Sequence, residues 1–179
     1  LPFSVSGTYG SSSACVQIIQ SAPSYLFCDA GTGLTGFVKE WRQQSEEKGP
    51  ETFHFFLSHL HLDHLIGLGS FEPAYLPENH IVFHGHHPET QAVLEGLMDS
   101  PTFPVPFRDW PARIQFDIRP EGEVFQIENL LVESILQNHP DKSYGYRFRS
   151  GRHCVVYSTD CEHTEEAFKA DYPFLDFFR

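Results

Sequence analysis

The sequence predicts a layered α/β fold with mixed sheets, and three observations predict it. Short apolar strand-like runs alternate with amphipathic helical patterns through the first hundred residues. Strand-like runs then follow one another closely to about residue 159. One early run, "TFHFFLS" at 52–58, has too little alternation for a half-exposed strand and reads as central and covered on both faces. Hydrophobic residues make up 40% of the 179, and 17 are Phe, enough for one sizeable core or for part of a larger domain, and the pattern reads as a single domain over 1–179.

The elements follow in order. "SVSGTYGSSS" (4–13) is a Gly/Ser-rich loop. "ACVQIIQ" (14–20) and "YLFCDAG" (25–31) are strands joined by a Pro-Ser turn, which predicts a hairpin. Residues 35–48 fit a helix with Phe37, Val38 and Trp41 on one side, ended by "KGP". After the central strand a short helix starts near Asp63 and carries Leu65, Ile66 and Leu68. "IVFHG" (81–85) is a strand, and "PETQAVLEGLMD" (88–99) a helix with Val93, Leu94, Leu97 and Met98 facing in. The Pro- and Phe-rich loop 100–111 suits either the rim of a pocket or the cover of a core. Five strands are expected at 113–118, 123–127, 130–136, 144–150 and 153–159, and a helix at 164–172.

The composition narrows the function. A formal charge of −12 disfavours duplex or tRNA partners and anionic membranes. There is no apolar run near membrane-spanning length, and the first residues lack a basic region before an apolar core, so a cytoplasmic protein is expected. None of Cys15, Cys28, Cys154 and Cys161 forms a CxxC pair; Cys28 and Cys154 lie in apolar runs and are expected to be buried thiols. Nothing in the composition separates a monomer from a homo-oligomer.

The chemistry concentrates in "LSHLHLDHLIGLG" (57–69), where His59, His61, Asp63 and His64 follow the central strand. Imidazole and carboxylate suit borderline divalent cations, zinc above all, with manganese and iron accepting the same donors. Two histidines two apart on extended chain point the same way. Asp63 and His64 then belong to a turn and face a neighbouring point. One segment can therefore feed two adjacent cation sites, whereas a structural zinc finger would use four protein ligands and, as a rule, cysteine.

"SHLHLDH" resembles the HxHxDH signature of the metallo-β-lactamase fold superfamily. "FCDAGTG" (27–33) resembles the strand and glycine loop before it, "NHP" (138–140) the loop with a third histidine, and "VVYSTDCEH" (155–163) the strand ending in a bridging aspartate. "TYGSSSACVQI" and "SYGYRFRSGRHCVVYSTD" resemble the phosphodiesterase branch around ribonuclease Z and the phosphoribosyl cyclic phosphodiesterases. The resemblance implies an αββα sandwich of mixed sheets with outer helices, incomplete at both termini, lacking its first strand and C-terminal portion. It implies that His59, His61 and His139 hold one metal, that Asp63 and His64 hold a second, and that Asp160 bridges them. Asp29 would brace the site loops from behind.

The function so implied is a binuclear hydrolase of small or cyclic phosphodiesters acting through a metal-bridged hydroxide. Asp63 would orient the nucleophile, and His163 is the available candidate for the acid. Two departures qualify this. A late histidine ligand has no counterpart here, because His163 follows Asp160 too closely. Only a short hairpin separates His139 from Asp160 where ribonuclease Z carries a long arm, which argues against tRNA. Hydrolysis of a thioester, lactone or β-lactam stays open, as does a non-catalytic metal-binding fragment. His84, His86 and His87 in "FHGHHPE" are expected to be ordinary surface histidines, and Gly31 and Gly33 permissive loop glycines.

Overall fold

The computed structural model describes residues 10–43, 49–169 and 172–178. Two sheets face each other. The first has five strands in the order β1 (Val16–Ile18), β2 (Tyr25–Cys28), β3 (Thr52–Phe56), β4 (His80–Gly85) and β5 (Arg113–Ile118). β1 runs antiparallel to β2, as the hairpin reading required, and β2 to β5 are mutually parallel. The second sheet is an antiparallel meander, β6 (Phe125–Ile127), β7 (Leu130–Gln137), β8 (Ser143–Ser150) and β9 (His153–Tyr157).

Alternation along the strands builds two cores. Phe27, Phe53, Phe55, Ile81 and Phe83 point away from the second sheet and pack beneath helix α1 (Leu34–Gln43) and helix α2 (Thr90–Leu97). Leu26, Cys28 and Phe56 point the other way and meet Phe125, Val132, Tyr146 and Phe148 between the sheets. β3 is thus covered on both faces, as its continuous apolar run required. Val38 and Trp41 of α1, and Leu94 of α2 with Met98 just after it, are buried. Helix α3 (Pro173–Phe177) reaches β8, where Arg147 donates to the carbonyls of Asp176 and Phe177 and lies 4.9 Å over the Phe177 ring.

Several sequence expectations need correction. The helix expected at 164–172 is only a short 3₁₀ turn, Glu165–Phe168; residues 170 and 171 lie outside the described residues. The helix near Asp63 is likewise a pair of 3₁₀ turns, Leu62–His64 and Ile66–Ser70. The helix expected at 35–48 is described as far as Gln43, and 44–48 lie outside the described residues. Cys154 is exposed, because β9 is the last strand of its sheet. Phe107 and Trp110 belong to the outer core, so the loop at 100–111 covers that core. His84 and His87 are buried, which overturns the surface reading. β4 carries His84 into the space between the sheets, where it stacks on Phe56 at 4.7 Å, and His87 packs against Tyr144.

Candidate metal centre

The parallel strands set up the site at one edge. Asp29 directly follows β2 and Ser58 comes two residues after β3, and the two lie side by side because Cys28 pairs with Phe56. Asp29 takes a left-handed backbone conformation (φ 57°), which aspartate tolerates better than bulky residues. The loop after it is stitched to the histidine turn. Ala30 N–H donates to the His64 carbonyl (2.7 Å), Gly67 N–H to the Ala30 carbonyl (2.9 Å), and the Ser13 hydroxyl to the Asp63 carbonyl (2.6 Å). The two segments come so close that a Cβ on Gly31 would meet the Asp63 and Ala14 carbonyls, and one on Gly67 the Ala30 and Gly31 carbonyls. Neither glycine has a positive φ, so close approach is what requires glycine at both, and at Gly31 it replaces the backbone freedom expected from sequence.

On this frame His59, His61, His139 and Asp160 each offer one ligand atom, and all four atoms lie within 4.8 Å of one another. The His59 ring lies 4.5 Å from that of His61 and 5.0 Å from that of His139, centre to centre. His61 Nδ1 faces His139 Nε2 at 3.4 Å, and Asp160 Oδ2 lies 3.8 Å from His59 Nε2 and 3.9 Å from His139 Nε2. His64 stands next to this set, its Nε2 3.6 Å from Asp160 Oδ2 and 3.5 Å from Asp63 Oδ2. Asp63 itself is largely exposed. His163 makes none of these contacts: its Nδ1 lies 2.8 Å from the Tyr172 hydroxyl and its ring packs edge-on against Phe174.

The geometry fits a cation. His59 is fully buried, yet its Nε2 has no hydrogen-bond partner, an arrangement that is costly without something to receive the lone pair. Three imidazoles and a carboxylate form a nitrogen and oxygen donor set that suits zinc. Burial, with the neighbouring His64 and His61 charges, pushes His59 down to about 4 against the pull of Asp29 and Asp160, so its ring is neutral at pH 7. For His64, burial alone would lower the pKa, but the Asp29 hydrogen bond and the charges of Asp29, Asp63 and Asp160 outweigh it and raise it. For Asp160, burial would raise the pKa, but the His64 charge and the Thr159 hydroxyl draw it down.

Behind the cluster sits Asp29, fully buried, with four hydrogen-bonding groups on its carboxylate. Ser58 N–H reaches Oδ1 at 2.7 Å; the Ser58 hydroxyl, the Tyr157 hydroxyl and His64 Nδ1 reach Oδ2 at 2.7, 2.7 and 2.8 Å. This is the bracing position expected for Asp29. Sequence reasoning passed over three supporting residues: Ser58, Tyr157, and Asp141, whose carboxylate lies 3.3 Å from His61 Nε2. Ser58 had a signal, since it directly precedes the first histidine. Tyr157 had only its place on the strand leading to Asp160.

The sequence matches the beta-lactamase superfamily domain family over residues 25–177, and the chain belongs to that family. Among solved structures it is similar to the metallo-beta-lactamase fold protein YhfI from Bacillus subtilis, at 16% identity and TM-score 0.61, over 89% of this chain and 59% of that one. It is similar to unliganded yeast PDE1 at 15% identity and TM-score 0.62, over 93% and 65%. It is also similar to a diphosphatase from the PhnP family at 17% identity and TM-score 0.53, over 75% and 48%. The chain therefore spans about half to two thirds of the length of these structures, and the likeness is one of fold. The expected metallo-β-lactamase-like architecture is the one observed. No match is found among curated protein sequences. Among the described residues no helix is long and apolar enough to cross a membrane.

Proposed function

We propose that this chain carries the metal-binding part of a metal-dependent hydrolase of phosphodiesters, small or cyclic ones, with zinc as the preferred ion and manganese or iron as substitutes. The observation that carries the reading is the convergence of His59, His61, His139 and Asp160, with the buried His59 Nε2 left unpartnered. His64 and Asp63 stand beside Asp160, where they would hold a second ion with Asp160 between the two. Divalent ions so held would act as Lewis acids on a phosphoryl oxygen and make a water more acidic.

The protein groups divide the remaining work. The exposed Asp63 carboxylate accepts the proton of an attacking water and orients it. His59 and His139 hold their rings edge to face, with their Nε2 atoms 3.8 and 3.9 Å from Asp160 Oδ2. His163, exposed and steadied by Tyr172, is the group offered to protonate the leaving oxygen. The acidic surface charge favours a compact diester over a polynucleotide, whose phosphates it would repel.

A second reading has its own support. The structures similar to this chain include the metallo-beta-lactamase MIM-2 (TM-score 0.51) alongside the PhnP-family diphosphatase, so carbonyl substrates fit the same scaffold. The test is a panel assayed with zinc or manganese: bis-p-nitrophenyl phosphate, cyclic nucleotides, a thioester and a β-lactam. Turnover of the phosphodiesters supports the proposal. Turnover confined to the thioester or β-lactam replaces it with the second reading.

A further inference from the structure

The hydrogen count at Ser58 leads to an inference that rests on the metal-site reading and extends it to a residue outside the ligand set. The Ser58 hydroxyl has two short contacts. One, at 2.7 Å, is to Asp29 Oδ2, and the other, at 2.9 Å, is to His59 Nδ1. A hydroxyl has one hydrogen to give and lone pairs to accept with. Asp29 Oδ2 already faces the Tyr157 hydroxyl and His64 Nδ1, and a carboxylate only accepts. If Ser58 gave its hydrogen to His59, two oxygen lone pairs would oppose each other at 2.7 Å in a fully buried site. The hydrogen must therefore go to Asp29. His59 Nδ1 then has to be the N–H that donates to Ser58, and the His59 lone pair is left on Nε2, the unpartnered atom facing the cluster.

We propose that Ser58 is a positioning residue that fixes the tautomer of His59, relaying the demand of the Asp29 carboxylate through one hydroxyl. The same carboxylate orients His64 directly through Nδ1. One buried acid thereby presents the Nε2 atoms of two imidazoles to the site, one at first hand and one at second hand. Ser58 is held for this task from three sides. Its N–H donates to Asp29 Oδ1, its carbonyl accepts from Tyr144 N–H at 2.9 Å, and the preceding Leu57 carbonyl accepts from the Tyr146 hydroxyl at 2.8 Å.

Long-range proton–nitrogen correlation spectra of the metal-free protein, with ¹⁵N-labelled histidine, read the tautomer directly. The wild type is expected to show His59 protonated on Nδ1. Ser58→Ala is expected to give a mixed or Nε2-protonated His59 while His64 is unchanged. It should also weaken zinc binding by about 10–100-fold in a chelator competition, the usual size of an effect one shell out from a metal. Ser58→Thr, which keeps the hydroxyl, is expected to restore both signals. A wild-type His59 protonated on Nε2 would overturn the proposal without any variant having to fold. So would a Ser58→Ala protein whose His59 tautomer and zinc affinity match the wild type. Failure of the function reading looks different: the Nδ1-protonated His59 would be seen and no phosphodiester would be cleaved.

Discussion

Two histidine–aspartate networks lie on the same sheet, and they use their nitrogens differently. At the end of β3, the Asp29 side secures His59 and His64 through Nδ1 and leaves both Nε2 atoms turned to the cluster. Between the sheets, His84 Nδ1 donates to Asp117 Oδ2 at 2.9 Å, and His84 Nε2 accepts from His54 Nδ1 at 2.9 Å. Arg119 Nε closes that network on Asp117 at 2.9 Å and lies over Phe125. Both networks are rich in imidazole. Only the first turns the Nε2 lone pairs of two imidazoles onto one cluster, whereas in the second Asp117 and His54 engage both ring nitrogens of His84, so hydrogen-bond accounting, and not histidine density, separates a site built for a cation from one built for packing.

The largest test of that contrast removes one histidine from each network. His59→Ala should weaken zinc binding by more than the roughly 10–100-fold typical of changes one shell out, and abolish hydrolysis. His84→Phe should leave zinc affinity within about twofold, since both ring nitrogens of His84 are already engaged by Asp117 and His54. Isothermal titration with zinc decides it, and an equal loss in both variants would erase the distinction.

Stability supplies the next test. Asp29→Ala strips a shared acceptor from buried donors and should cost about 3–5 kcal/mol, measured by denaturant unfolding. Tyr157→Phe removes a single donor from the same carboxylate and should cost only about 1 kcal/mol. Similar costs for the two would mean that Asp29 is not the hub.

The inter-sheet network should show itself through pH. Burial, with the His84 and His80 charges, holds His54 down to about 4 against the pull of Asp117. The hydrogen bond from His84, assisted by Arg119, holds Asp117 down to about 2 although burial opposes it. The unfolded chain therefore binds more protons than the folded one below neutrality. The His54 contribution is complete above its free value of 6.5 and fades as pH falls toward 4. The Asp117 contribution is complete above 3.8 and is lost toward 2. His54→Gln should flatten the stability profile between pH 6.5 and 4, removing at most about 3 kcal/mol and less after solvent screening. An unchanged slope would contradict the assignment.

The smallest expected effect lies at the edge of the site. His163→Ala should leave p-nitrophenyl ester cleavage nearly intact and slow alkyl diesters by about tenfold or more, because only a poor leaving group needs the proton. Equal slowing of both substrates would remove His163 from the acid role.

The parts legible in the sequence are those with short-range signals. The run 52–58 shows a doubly covered strand because both its faces are apolar. The spacing of His59, His61, Asp63 and His64 shows a shared edge because strand and turn geometry are local. His139 and Asp160 could be tied to that edge only through resemblance, since their approach depends on how β7, β8 and β9 pair. The reach of Tyr157 to Asp29 spans the gap between the sheets and leaves no trace in a pattern of neighbours. The same holds for His84, which looks like its polar neighbours His86 and His87 until β5 brings Asp117 beside it. Cys154 misleads for the converse reason: an apolar strand pattern cannot say which strand ends a sheet.

The most direct measurement is a crystal soaked in zinc and recorded on both sides of the zinc absorption edge. The account predicts an anomalous peak among His59 Nε2, His61 Nδ1, His139 Nε2 and Asp160, a second between Asp63 and His64, and none at His54 or His84. Zinc bound between the sheets, or a zinc-loaded protein with no peak at the four-residue cluster, would contradict it.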